Sequence, residues 1–446
     1  MHEPIIKVGI LSGSEISFRL NGIFSLNGNN LLQDGEYKIR VQDGQMLLKG
    51  KKQELQFRNF GILHPENQNC TFDLIDVTIG IQFHWERKED QKFKGGLQFL
   101  IEDNKVTAIN LIPLEDYLIS VISSEMSATS SMELLKAHAV ISRSWLMAQL
   151  EKGEKLKKSG AQFTPDTQTE SERVKWYDRE DHLNFDVCAD DHCQRYQGIT
   201  RAGTPIVEEA IDATRGLVLT YEDEICDARF SKSCGGVTEV FENVWEPIPH
   251  PYLPKIIDND ATPDNYNLDL TEESAAEAWI RNSPPAFCNT TDKHVLSQVL
   301  NDYDQETNDF YRWKVEYSQS ELSNLLLSRT GIDFGEIIDL IPIERGASGR
   351  LIRLKIIGTK KTFIIGKELE IRKSLSTSHL YSSAFVVDRE ELKGNIPGKF
   401  ILTGAGWGHG VGLCQIGAAV MGAKGYSFKE ILLHYFKGAS LEKKYN

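Results

Sequence analysis

The chain has 446 residues, is 40% apolar and 26% charged, and carries 50 Lys+Arg against 64 Asp+Glu, a formal net charge of −14. That balance excludes a protein whose main partner is a nucleic-acid backbone or an anionic membrane, and no run reaches the ~18 apolar residues of a transmembrane segment. The apolar fraction supports real cores, and the length points to two or three domains of ~150 residues. Seven cysteines are too few for a disulfide scaffold and odd in number. The first ten residues lack a basic start, an apolar run and a small-residue cleavage site, so no signal peptide is visible here.

Residues 1–105 read as an N-terminal β-rich domain. Strand-like runs at Ile5–Leu11, Ile16–Leu20, Tyr37–Val41, Gln45–Leu48, Leu55–Phe57, Phe72–Ile75, Ile79–Phe83 and Leu97–Ile101 are separated by turn residues. The texture changes over 106–446. Leu114–Met126 and Met132–Leu150 have helical spacing, and Ser130 with Glu133 reads as a capping box. The charged stretch 151–200, which holds a His/Cys group, reads as an excursion. Strand-like runs return at Leu217–Tyr221 and Ala228–Ser231. Helical pieces fill 271–330, Leu351–Ile357 with Thr362–Ile365 predicts a hairpin, and Tyr426–Phe436 closes the chain as a helix. Strands and helices mix without regular alternation, so the fold class is α+β, with mixed sheets and buried helices.

On a helix from Leu114, the residues Leu114, Leu118, Val121 and Glu125 share one stripe. A carboxyl facing the core is desolvated, its pKa rises, and it can give and retake a proton. The plain alternative ends the helix near Ser123 and leaves Glu125 as a solvated linker residue. The next helix is apolar on nearly all sides and therefore buried, yet it carries Lys136 and Arg143. A buried Arg143 needs an anionic partner or an aqueous cleft, so a structural ion pair and a substrate-facing role stand side by side.

His182, Cys188, His192 and Cys193 fall close together. Mixed Cys/His sets suit a structural Zn²⁺, with His182, Cys188 and Cys193 as ligands and His192 as the alternative fourth; reduced thiols or a disulfide are the alternatives. Two glycine-rich loops follow, Ser231–Gly236 and Gly404–Gly412. Neither has the ending of a phosphate-binding loop or a dinucleotide fingerprint. Glycines let backbone donors approach a ligand, which marks Gly235 and Gly236, with Trp407 and His409 as candidates to stack on and hydrogen-bond a sugar; turn geometry alone is the alternative. A hydrolase built on Ser233 and His409 lacks the nucleophile elbow, and Cys414 near His409 has no local thiol-enzyme signature.

Several segments together, in order, resemble the stage II sporulation protein D / amidase-enhancer family of cell-wall proteins. They are Pro113–Tyr117 through Ser124-Glu125-Met126, Leu135–Val140 with Arg143, Asp212–Gly216, Ser233–Glu239, Trp245, Pro251-Tyr252-Leu253, Ser348-Gly349-Arg350, and Gly406–Gly412 with Gln415 and Gly417. The resemblance covers roughly 106–440. It departs from the family pattern at Cys234, at Cys414 and at Ser127, which stands where a proline is usual. The resemblance implies a lytic transglycosylase acting on peptidoglycan glycan strands, particularly strands stripped of peptides. Glu125 would be its acid/base and Arg143 its motif arginine. Lys136, Ser233, Gly235, Gly236, Trp407, His409 and Gln415 would contact substrate, and zinc would sit on His182, Cys188 and Cys193. A non-catalytic wall-binding protein that stimulates a cell-wall amidase is the alternative. Either role implies the cell envelope. Ordinary glycoside hydrolysis uses two carboxylates. Only one strong candidate is present, and a lytic transglycosylase can work with one.

Overall fold

In the computed structural model the described residues are 2–51, 53–58, 60–80, 87–127, 129–159, 166–176, 182–190, 193–200, 204–299 and 309–446. The chain divides into two compact units, one of Met1–Ala128, Asp181–Leu217 and Lys443–Asn446, the other of Thr129–Glu180 and Val218–Glu442. The first unit thus runs past residue 105 and gathers a distant segment of the excursion.

The first unit is a sandwich of two sheets. Gly96–Glu102 and Lys105–Pro113 form a hairpin, and Ile5–Gly13 pairs antiparallel with the second of these strands. Phe60–Pro65, Phe24–Leu26, Asn30–Leu32 and the short Val187–Cys188 complete seven strands. The other sheet has six, with Glu15–Asn21 between Thr71–Ile79 and Gly35–Gln42. Alternation is clear in Glu15–Asn21, where Ile16, Phe18 and Leu20 are at most 1% exposed while Glu15 and Arg19 face out. The two apolar faces meet, with Phe18 against Phe99 at 5.2 Å and Phe24 against Phe72 at 6.4 Å between ring centroids. The predicted run at Ile79–Phe83 belongs at its start to Thr71–Ile79, and residues 81–83 lie outside those described. Phe60–Pro65 and Lys105–Pro113 are additional strands.

The second unit starts with α2 (Met132–Ser159), which follows α1 (Leu114–Glu125) of the first unit. The predicted capping box does not form. The Ser130 hydroxyl donates to the Gln298 carbonyl at 2.8 Å, and Glu133 is taken by Lys136 and by the Phe428 N–H; Ser131 Oγ accepts from Leu134 N–H instead. The predicted hairpin is present, Leu351–Gly358 against Thr362–Gly366, in a five-stranded sheet that also recruits Thr167–Gln168 and Glu172–Val174 from the excursion. A three-stranded sheet of Arg312–Ser318, Lys399–Ala405 and Phe385–Glu390 shares a core with it, built on Trp313, Phe334, Ile356, Phe363 and Phe400. Helices Gln415–Ala423 and Phe428–Tyr435 pack on α2. The fold is α+β. No helix among the described residues is long and apolar enough to cross a membrane.

Candidate functional site

Glu125 is a helical residue, not a linker. Pro113, with φ −56°, sets the entry to α1, and Leu114, Leu118 and Val121 are fully buried along one face. Glu125 is the last residue of that helix and is half-buried; Met126 turns to extended backbone while its N–H donates to the Ile122 carbonyl. The helix is held rigidly. Tyr117 stacks on Tyr196 at 5.1 Å and donates to Gln194, and Ser120 Oγ accepts from the Gln197 N–H. Glu115, buried one turn from the start, accepts from Gly216 N–H and Tyr445 O–H. A carboxyl at the end of a fixed helix keeps its aim, which acid/base work requires.

In the same unit, the ligating atoms of His182, Cys188 and Cys193 lie within 4.8 Å of one another. Cys193 Sγ is 3.5 Å from His182 Nε2, and the Cys188 N–H donates to Cys193 Sγ at 3.4 Å. Cys188 is fixed by parallel pairing with Gly9, and the His182 ring stacks on Phe185. Two sulfurs and an imidazole nitrogen suit Zn²⁺. His192 lies outside the described residues.

In the second unit, Arg143 is completely buried on α2, with Nη1 3.5 Å from the Ala139 carbonyl. Lys136 is half-buried and ion-paired with Glu133 at 2.9 Å. Gln415 is buried, and its amide meets His138 Nε2 at 3.1 Å; Ser142 Oγ meets the other ring nitrogen at 3.3 Å. Burial, and then the charge of Lys232, push His138 down to about 3.

The two glycine loops bind each other. Ser233 and Trp407 exchange backbone hydrogen bonds at 3.0 and 2.8 Å. Gly235 has φ +77°, and a Cβ there would lie 2.9 Å from the Gly406 nitrogen; at Gly236 it would strike Trp279 and Tyr311. Gly235 is therefore spent on packing backbone against backbone, and Gly236 on making room for two aromatic side chains. Ser233 Oγ is buried without a hydrogen-bond partner, and no histidine bonds to it among the described residues, so no Ser-His pair forms. Trp407 is half-buried beside Phe310 at 4.7 Å and Tyr381 at 4.5 Å. His409 accepts from the Val411 N–H at Nδ1 and meets Trp245 edge-on. Burial first, then Arg229, Arg350 and Arg372, push His409 down to about 3, so it is a neutral donor at Nε2.

Three clusters escaped sequence reading. Arg229 forks onto Asp227 at 2.6 and 2.9 Å and lies 4.2 Å over Trp245. Glu239, 1% exposed, accepts from Ala347 N–H, Ser348 N–H and Ser348 O–H. Cys234, Asp258, Cys288 and Cys414 form a second, fully buried group. Only the first of these has a short-range signal, an aspartate two residues from an arginine. All seven cysteines are free of disulfides.

Residues 102–221 match the family model described as stage II sporulation protein, and residues 239–412 match one described as a domain of unknown function. Over residues 102–221 the chain is thus similar to the family its motifs resemble. It is 26% identical over 334 residues to stage II sporulation protein D of Bacillus amyloliquefaciens, covering 75% of each chain. It is 25% identical to an uncharacterised protein of Brachyspira hyodysenteriae, covering 78% of this chain and 72% of that one. It is also 24% identical to the amidase enhancer of Bacillus subtilis, over 52% of this chain and 32% of that one.

Proposed function

We propose that the chain is a peptidoglycan lytic transglycosylase of the cell envelope, with Glu125 as its single acid/base. The observation that carries this is the position of Glu125, half-buried at the end of a helix whose own stripe is fully buried. That position fixes where the carboxyl points, and acid/base work needs such an aimed group. Glu125 protonates the glycosidic oxygen, and the sugar's N-acetyl oxygen stabilises C1 as the bond breaks. The ionised Glu125 then takes the proton from the 6-hydroxyl, whose oxygen closes onto C1 to give the 1,6-anhydro ring. The proton is returned and no water enters.

Of the proposed glycan contacts, Lys136, Trp407 and His409 are only partly buried. Ser233, Gly235, Gly236 and Gln415 are buried and act through the loops they hold. Arg143 is fully enclosed on α2 and so does not itself meet the glycan. Zinc on His182, Cys188 and Cys193 would tether the Val187–Cys188 segment and takes no part in the step above. Digestion of peptide-stripped glycan in water enriched in heavy oxygen tests the reaction class. Anhydro ends without the label support it; labelled reducing ends mean hydrolysis. The relative named amidase enhancer supports a second reading, a wall-binding protein that stimulates an amidase. It predicts glycan binding with no new ends.

A further inference from the structure

Cys234, Asp258, Cys288 and Cys414 come from four segments and meet with their ligating atoms within 4.8 Å of one another. They are 3%, 0%, 1% and 0% exposed. Cys234 sits in the first glycine loop, Asp258 follows the strand bridge between Val237 and Ile257, Cys288 ends the turn after Pro285, and Cys414 precedes the helix Gln415–Ala423. We infer that these four side chains are a second metal site, a tetrahedral Cys₃Asp centre for Zn²⁺, separate from the His182 group.

Donor chemistry and geometry agree. Three sulfurs and one carboxylate oxygen make a complete four-coordinate set for zinc. The Sγ atoms of Cys234 and Cys288 are 3.7 Å apart. Two sulfurs ~2.3 Å from a tetrahedral zinc stand ~3.8 Å from each other, whereas a disulfide needs ~2.05 Å.

The surroundings are those of a built site. The Cys234 N–H points at Cys414 Sγ, 3.2 Å away. Asp258 Oδ2 accepts from the Cys288 N–H at 2.9 Å, and Oδ1 from the Tyr435 hydroxyl at 2.6 Å. Such donors orient ligands and offset thiolate charge. Gly417 makes room for this: a Cβ there would lie 2.4 Å from both Asp258 Oδ1 and the Tyr435 hydroxyl oxygen. Among the described residues no Lys or Arg forms a salt bridge with Asp258, so this wholly buried carboxyl has no cationic side chain against it. The competing description, four protonated core residues, buries three thiols and a carboxylic acid together and leaves that convergence without a cause.

On binding, each coordinating thiol gives its proton to solvent and Zn²⁺ takes its place. The metal would then fasten the first glycine loop, one residue after the Ser233–Trp407 bridge, to the start of Gln415–Ala423. It is structural, since its four positions are filled by protein and none is left for substrate. This inference is independent of the glycan reading.

The test uses the full-length chain with His182→Ala and Cys193→Ser, which removes the other candidate site and leaves this one intact. Purified without chelator, this protein should hold one equivalent of zinc per chain by elemental analysis. After chelation and reloading with Co²⁺ it should show tetrahedral cobalt bands with sulfur-to-metal charge transfer. Adding Cys288→Ser should reduce the zinc to near zero and weaken the charge transfer. Should that variant fail to fold, the parent double variant still decides. No metal in it after dialysis against Zn²⁺, or a Cys234–Cys288 disulfide by peptide mapping, would overturn the inference.

Discussion

Gly235→Ala tests whether the glycine loops are a packing device. The residue has φ +77°, and a Cβ would lie 2.9 Å from the Gly406 nitrogen and 3.0 Å from the Ala405 carbonyl carbon, neither of which can rotate away. The left-handed backbone costs about 1–2 kcal/mol for alanine. Overpacking against fixed backbone adds about 1–3 kcal/mol. Gly394 supplies the control, with φ +65° and nothing within 4 Å of the place a Cβ would take. There only the backbone cost applies, and at both positions the less flexible unfolded chain offsets about 0.4–1 kcal/mol. At about 2 °C per kcal/mol for a unit this large, Gly235→Ala should lower the melting temperature by roughly 2–9 °C and Gly394→Ala by at most about 3 °C. Thermal unfolding followed by circular dichroism reads both. Equal shifts would refute the claim that loop-to-loop contact, rather than ligand approach, is what position 235 requires.

Other outcomes follow from buried polar groups. His138 is held down to about 3 by burial and stays neutral in the fold, while the unfolded imidazole takes a proton below ~6.5. Its contribution is intact above that pH and is lost as pH falls toward 3, at ~1.4 kcal/mol per pH unit. His138→Gln should therefore show a shallower loss of urea stability between pH 7 and pH 5 than wild type; the same slope would contradict it. Glu239 accepts from Val240 N–H, Asn243 Nδ2, Ala347 N–H, Ser348 N–H and Ser348 O–H. Glu239→Ala strands these donors and should cost about 3–5 kcal/mol in urea unfolding, and a loss below about 1 kcal/mol would refute the network's role. His182→Ala should lower the zinc content of the purified protein by one equivalent; an unchanged content would remove that site.

What the sequence revealed depended on the range of each interaction. Period-two alternation exposed Glu15–Asn21 and Gly35–Gln42, and helical spacing placed α1 and the stripe ending at Glu125, because each pattern needs only neighbouring residues. The true capping boxes lie at Ser318/Glu321 and Ser427/Glu430, whereas the one read at Ser130/Glu133 fails because both side chains have partners 168 and 295 positions away. Spacing flagged His182, Cys188 and Cys193 because the first and last are only 11 positions apart. Nothing comparable links Cys234 to Cys414, 180 positions apart. The glycine loops were visible, but only their mutual packing shows that Gly235 and Gly406 face each other and that Gln415 is committed to His138.

In the proposed reaction Glu125 alone supplies the proton transfers. The direct measurement is mass spectrometry of purified peptide-stripped glycan strands after incubation with wild type and with Glu125→Gln. The variant has nearly the same shape and no acid. Wild type should give 1,6-anhydro-muramic ends and Glu125→Gln none, with both proteins equally folded by circular dichroism. Anhydro ends at equal rates from both proteins, or none from wild type, would contradict it.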